Sequence, residues 1–369
     1  MDKKIEKKIT DCIGENLDRL ITIDWRAQGY LHLLYQALRE KSDGPLTMRA
    51  AQKFIQKVRE GDIVFVLTGF PVGPYDMIRS RQLPKEHRFI SDIVVPETDG
   101  VVAAALIARA VDLGFKARPV IFCEEECVKI VKACCGGAGL RPFNDFETSL
   151  LMAHTVTVLP FTKDAQKASE DAQIFLDGMN PKAAISIERP GKNEKGFYHT
   201  SSGRSATDFI AKLDELFAGV QKRGGLTIAI GDVGNELGMG ALKEATKKII
   251  PFGEKCLCGC GGGIGNDFRA DAAILGGVSE DAAYAFLACL AYLLSKPEIL
   301  QTPEMETRIL DLACSHGAID ALSGLRIPSI DYIDVKNHNH QIELMREIIW
   351  CPNRFLNFHS SLYADLVPR

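Results

Sequence analysis

Leu226-Thr-Ile-Ala-Ile-Gly-Asp-Val-Gly-Asn-Glu-Leu-Gly-Met-Gly240 begins as a short apolar run and passes directly into a polar, glycine-dense turn. The run has the β-branched content of a buried strand, and the segment after it has helical character. A strand that ends at Gly231-Asp232 and feeds a helix places Asp232, Asn235 and Glu236 at the carboxyl edge of a sheet. Open α/β sheets build their sites at that edge. Four glycines between 231 and 240 let the backbone take positive φ and let a ligand approach closely. Two carboxylates and a carboxamide in one small turn exceed what capping a helix requires.

The same cadence repeats in both directions. Strands are predicted at residues 63–68, 117–122, 155–159, 183–187, 226–230 and 272–275. Helices are predicted between and after them, at 101–113, 126–134, 164–176, 206–220, 238–249 and 280–294, then 303–314 and 336–350. The strand runs are apolar on both faces, as strands covered on both sides must be. This alternation predicts a three-layer α/β/α fold with a mainly parallel sheet. Residues 1–60 read instead as a helical extension, with Leu17, Leu20 and Ile21, then Leu31, Leu34 and Leu38 at helical spacing. Its plain reading is packing or homo-oligomerisation. Residues 61–369 form the α/β domain, including the C-terminal helices.

Composition bounds the function. The chain has 369 residues, is 46% hydrophobic and 25% charged, and carries a formal net charge of -4. That balance argues against nucleic acid or an acidic membrane as the principal partner. The start is charged with no apolar stretch behind it, and no apolar run is long enough for a membrane span, so a cytoplasmic protein is expected. No Gly-Lys-Ser/Thr is present, and the glycines at 259–265 match a dinucleotide fingerprint only loosely, so no nucleotide is expected.

Cys256, Cys258 and Cys260 alternate in a Cys-Leu-Cys-Gly-Cys run among eleven cysteines. On a strand, this alternation points all three side chains to one face. They are therefore expected as small buried hydrophobes, with a soft-metal site or redox chemistry as the alternatives.

Parallel connections deliver the loops after the strands to one edge. These loops carry Thr68-Gly69, then Glu97 and Asp99, then Glu188-Arg189 with His199 further on, and finally Asp232, Asn235 and Glu236. Each has a plain reading beside the functional one. Asp99 precedes an apolar helix and is an expected cap, Glu188-Arg189 makes a strand-end ion pair, and a lone histidine is more often satisfied than catalytic. The Asp232–Glu236 cluster is the least easily explained by structure alone.

Three motifs, in order, resemble one known family. Pro96–Gly100 reads Pro-Glu-Thr-Asp-Gly, Ile187–Gly191 reads Ile-Glu-Arg-Pro-Gly with Tyr198-His199 following, and Gly231–Gly240 closes the series. They are similar to the C-terminal domain family of D-glutamate cyclase-like proteins, over about residues 60 to 345. The chain departs from it at Val233, where the family shows glycine, and at Ile319-Asp320-Ala321 and Ile330-Asp331-Tyr332, where relatives show Val-Asp-Gly.

The resemblance implies a carbon–oxygen lyase that closes D-glutamate, or a related amino acid, to 5-oxo-D-proline with loss of water. Glu188, His199, Asp232 and Glu236 are then expected as catalytic groups. Thr68, Gly69, Glu97, Arg189 and Asn235 are expected to bind a substrate that is an amino acid or other small carboxylate, with Arg189 clamping a carboxylate. Asp99, Asp232 and Glu236 are expected to hold Mg²⁺ or Mn²⁺, hard cations suited to oxygen ligands. In longer animal relatives this domain follows a hydro-lyase-like one. That arrangement implies the alternative of a small-anion or amino-acid binding protein that serves a separate hydro-lyase without turnover of its own.

Overall fold

A computed structural model describes residues 3–73 and 94–362. In chain order the first elements are α1 (Lys3–Ile21), α2 (Leu31–Arg39), α3 (Leu46–Lys57), β1 (Ile63–Leu67), β2 (Pro71–Val72) and β3 (Val95–Pro96). Next come α4 (Val101–Phe115), β4 (Arg118–Cys123), α5 (Glu125–Gly137), β5 (Arg141–Phe143), α6 (Phe146–Leu150) and β6 (Thr155–Pro160). The chain continues through α7 (Ala168–Met179), β7 (Ala183–Ile187), α8 (Asp214–Lys222), β8 (Leu226–Gly231), α9 (Lys243–Ile249) and β9 (Ala272–Leu275). It ends with α10 (Ser279–Leu294), α11 (Pro303–Ser315), the ribbon strands β10 (Ser329–Ile330) and β11 (Ile333–Asp334), and α12 (Val335–Leu362).

Seven strands form one parallel sheet in the order β5-β6-β4-β1-β7-β8-β9. Alternate residues of each strand divide between two cores, as a period of two requires. Val64, Val66, Ile121, Ile185 and Ile228 face a layer that includes α1, α3, α4, α5 and α10–α12. Phe65, Leu67, Phe122, Ala184 and Ala229 face the layer of α2, α7, α8 and α9. The fold is therefore the three-layer α/β/α sandwich that the alternation predicts.

Three local features differ from expectation. The helix foreseen at 206–220 begins only at Asp214, because Ala206 and Ile210 turn back to pack on Tyr198. The segment after β8 stays in irregular turns, with a short 3-10 helix at Gly240–Leu242 before α9. The Asp232–Glu236 cluster is thus a free-standing turn rather than a helix start. The run from Cys256 to Cys260 forms no strand.

The N-terminal helices are part of the core. Leu17, Met48, Ala50 and Phe54 are fully buried, and Phe54 makes edge contacts with Phe115 of α4 and Phe286 of α10. No helix among the described residues is long and apolar enough to cross a membrane.

Topology locates the cleft. The chain leaves β1 toward β4 and β6 on one side, then crosses back to β7 on the other. The switch point lies between β1 and β7, where the loops at their carboxyl ends diverge and leave a crevice.

Candidate functional site

A cavity of ≈ 340 Å³ opens at this switch point, lined by Glu188 after β7 and by Asp232 and Asn235 after β8. Glu97, Arg26, Gln28, Tyr30, Asp331 and Thr200–Ser202 add to its polar wall, with Phe70 and Phe252 among its apolar members. The volume lies at the low end for ligand pockets and suits a small metabolite.

Glu236 builds the turn that presents Asp232. Its carboxylate accepts the backbone N–H groups of Asp232 at 3.1 Å, Val233 at 2.8 Å and Gly234 at 2.7 Å. The side chain lies so close to Gly231 that a β-carbon there would stand 2.6 Å from the Glu236 carboxyl carbon. The strand must therefore end in glycine. Asn235 donates to the His199 carbonyl at 3.0 Å and ties this turn to the next loop.

Glu188, Asp232 and Glu236 each bring a carboxylate oxygen to within 4.8 Å of the others. Burial raises Glu188 well above the usual carboxylate range, and the charges of Asp99, Asp232 and Glu236 push it further. Asp232 is raised as well, by burial and then by Glu236, but Arg26 pulls in the opposite direction. Glu188 also accepts a short hydrogen bond from the Ser279 hydroxyl. Like charges this close and this buried share protons or a counter-cation.

Arg26 supplies that cation and was not foreseen. It lies in the loop after α1, where its guanidinium donates to Asp331 at 2.6 Å, Asp232 at 3.2 Å and the Gly277 carbonyl at 2.8 Å. Burial opposes its charge, but Asp331 and Asp232 more than compensate and raise its pKa further. The Asp331 carboxyl is pushed up to about 6 by burial, against the pull of Arg26.

Backbone strain marks the same place. Among non-glycine residues with positive φ, Lys116, Asn180 and Ser295 cap helices in the left-handed conformation, which accounts for them. Glu188 (φ 36), Phe252 (φ 64) and Asp331 (φ 52) line the cavity instead. Strained residues persist where surrounding structure over-determines them, often at ligand sites. Tyr332, next to Asp331, is also at positive φ, 69, and the Ile330-Asp331-Tyr332 departure noted in the sequence was the available signal for Asp331. Nothing in the local sequence around Arg26 pointed to it.

The other expected residues divide. Glu97 and Asn235 line the cavity. Thr68 and Gly69 follow β1 at the same edge but lie behind it, where their carbonyls accept from Arg189.

Arg189, expected to clamp a substrate carboxylate, is fully buried away from the cavity. It pairs with Glu124 at 2.5 Å and donates to the Gly69 carbonyl at 2.7 Å and to the Ala211 carbonyl. Its fork is occupied by protein, and it locks the loops after β1 and β4 together.

Asp99 caps a helix, though not its own. It accepts the Glu280 N–H of α10 at 3.1 Å, while Glu280 accepts the Ala103 N–H of α4 at 3.0 Å. The two helix starts thus exchange caps. Asp99 stands outside the close carboxylate group, and Glu188 occupies the place expected for it.

His199, expected among the catalytic groups, does not line the cavity. Its Nε2 faces Cys258 Sγ at 3.2 Å and Cys260 Sγ at 3.8 Å, and burial holds the imidazole below its usual range.

The chain belongs to the D-glutamate cyclase-like, C-terminal family, which it matches over residues 17–346. Over 145 residues it is 34% identical to the human protein D-glutamate cyclase, mitochondrial. That match takes in 37% of this chain but 22% of the human protein's length.

Proposed function

We propose that this member of the D-glutamate cyclase-like family is a lyase that closes D-glutamate, or a closely related amino acid, to 5-oxo-D-proline with loss of water. The carrying observation is one small cavity where Glu188 and Asp232, both with raised proton affinity, face the guanidinium of Arg26. An amino dicarboxylate brings an ammonium and two carboxylates. The carboxylates of the wall accept from the first, and Arg26, which lines the cavity and commits three of its five N–H groups to protein, faces one of the others.

In ring closure the amine nitrogen bonds to the γ-carboxyl carbon and one C–O bond breaks. Two protons leave the nitrogen and two reach the departing oxygen, which leaves as water. A carboxyl that gives a proton and then recovers one serves both ends of that transfer. Glu188, raised by burial and then by Asp99, Asp232 and Glu236, is the protonated member. Arg26 draws Asp232 toward the charged form, which makes Asp232 the acceptor of the ammonium proton. Glu236 positions them through the turn.

The donor set is all oxygen and suits Mg²⁺ or Mn²⁺, with Glu188 and Asp232 as ligands, since Glu236 is committed to three backbone amides. Such an ion would take the place of the Glu188 proton and would supply Lewis acidity to the γ-carboxyl group instead.

The test is incubation of purified protein with D- or L-glutamate, with EDTA or with added Mg²⁺ or Mn²⁺, and measurement of 5-oxoproline. Product from D-glutamate that Glu188→Gln abolishes is the expected result. No product under any condition overturns the reading. Thermal stabilisation by D-glutamate without turnover would instead favour a binding protein that serves a separate hydro-lyase, a reading motivated by the short overlap with the human protein.

A further inference from the structure

The Cys256–Cys260 run was expected on a strand, with its three side chains at one face. Sulfurs two residues apart on a strand would stand about 6.6 Å from each other. Here Cys256 Sγ lies 3.2 Å from Cys258 Sγ and 3.4 Å from Cys260 Sγ. The loop curls because Gly259 and Gly261 take φ of 80 and 81. The fourth side of the cluster is His199, and one ligand atom from each of the four residues lies within 4.8 Å of every other.

We propose that His199, Cys256, Cys258 and Cys260 bind one zinc ion, a structural site separate from the carboxylate cavity. Zn–S bonds of about 2.3 Å and a Zn–N bond of about 2.0 Å in a tetrahedron place the sulfurs about 3.8 Å apart and nitrogen about 3.5 Å from each sulfur. The contacts found between 3.2 and 3.8 Å need only small adjustments to reach that geometry. Three thiolates and an imidazole are soft and borderline donors, the set that selects zinc over the hard cations. A group this tight fits one ion, whereas the cysteines of an iron–sulfur cluster each bind a different corner of a larger body.

A further shell is present. Asn193 Nδ2 donates to Cys260 Sγ at 3.5 Å and to the Gly263 carbonyl at 2.8 Å, which orients the ligand loop. Four protein ligands leave no open position, so the ion acts on structure. It joins the loop that carries Phe252 to the segment that carries Thr200–Ser202, and both line the cavity.

The test uses the full chain. Elemental analysis of protein purified without chelator should find one zinc per chain. After chelation, added Co²⁺ should saturate at one equivalent with the thiolate-to-cobalt charge-transfer band. Cys258 is exposed, so Cys258→Ser should fold, yet it should lose the zinc and the band. Cys12→Ser, at an exposed cysteine on α1, should keep both. Folded wild-type protein that neither retains zinc nor binds Co²⁺, metal binding unchanged in Cys258→Ser, or a disulfide among the three cysteines would each overturn the assignment.

Discussion

Both oxygens of Glu236 are engaged by backbone amides of the turn it closes, whereas Glu188 and Asp232 line the cavity. The three carboxylates should therefore respond differently to substitution. Glu236→Ala leaves three buried N–H groups without an acceptor and should cost at least roughly 3 kcal/mol in urea denaturation. Asp232→Asn keeps the side-chain shape and removes a charge that faces Arg26. Its melting temperature should stay within a few degrees of wild type, while D-glutamate-induced stabilisation is lost. A variant that binds normally would reduce Asp232 to a partner of Arg26. The presence of Asp232, Asn235 and Glu236 at the cleft was legible, because a glycine-dense turn after a buried strand has few other uses. Their division of labour was not, because it depends on which atoms lie within hydrogen-bond reach.

Helices α10, α11 and α12 enclose a polar network in an otherwise apolar layer. Tyr284 donates to Glu306 at 2.6 Å, and Asp281 bonds His338 and Gln341, each at 2.7 Å. Burial pushes the Glu306 carboxyl from its ordinary 4.5 to about 7. The His338 imidazole is raised too, because Asp281 outweighs its burial. Both groups hold their protons more tightly in the folded chain than in the unfolded one. Their contributions are therefore full below the unfolded pKa values and are lost as pH rises through the folded ones. Stability to urea should fall between about pH 4.5 and about pH 7 through Glu306, by roughly 3 kcal/mol at most, and His338 should extend the fall above about pH 6.5. Glu306→Gln keeps the acceptor for Tyr284 and should flatten that slope; an unchanged slope would remove Glu306 from the account. Strand and helix spans such as 183–187 and 303–314 were legible from their periodicity. The late start of α8 was not, because Ala206 and Ile210 are apolar at helical spacing yet pack on Tyr198.

At the scale of the molecule, the N-terminal helices complete the sandwich rather than append to it. Asp18 on α1 accepts the Leu46 and Thr47 N–H groups at the start of α3 and the Tyr35 hydroxyl of α2, which joins all three helices. A chain that starts at residue 61 would expose the face that Leu17, Met48 and Phe54 cover, and should be insoluble or unfolded by circular dichroism. Phe54→Ala in the full chain should cost about 3–5 kcal/mol and keep the fold. A soluble, cooperative truncated domain would show the extension to be dispensable. What the sequence by itself determined is the local physics: apolar runs on both strand faces dictate a covered parallel sheet, and glycine-rich strand ends dictate where its loops open. What only the tertiary structure decided is which side chains meet. Arg26 reaches Asp232 across 206 positions, Arg189 is taken by Glu124, and His199 turns to three cysteines about sixty positions away. Local sequence sets backbone preference, but charge pairing and metal geometry depend on distances through space, and those are fixed only when the layers close.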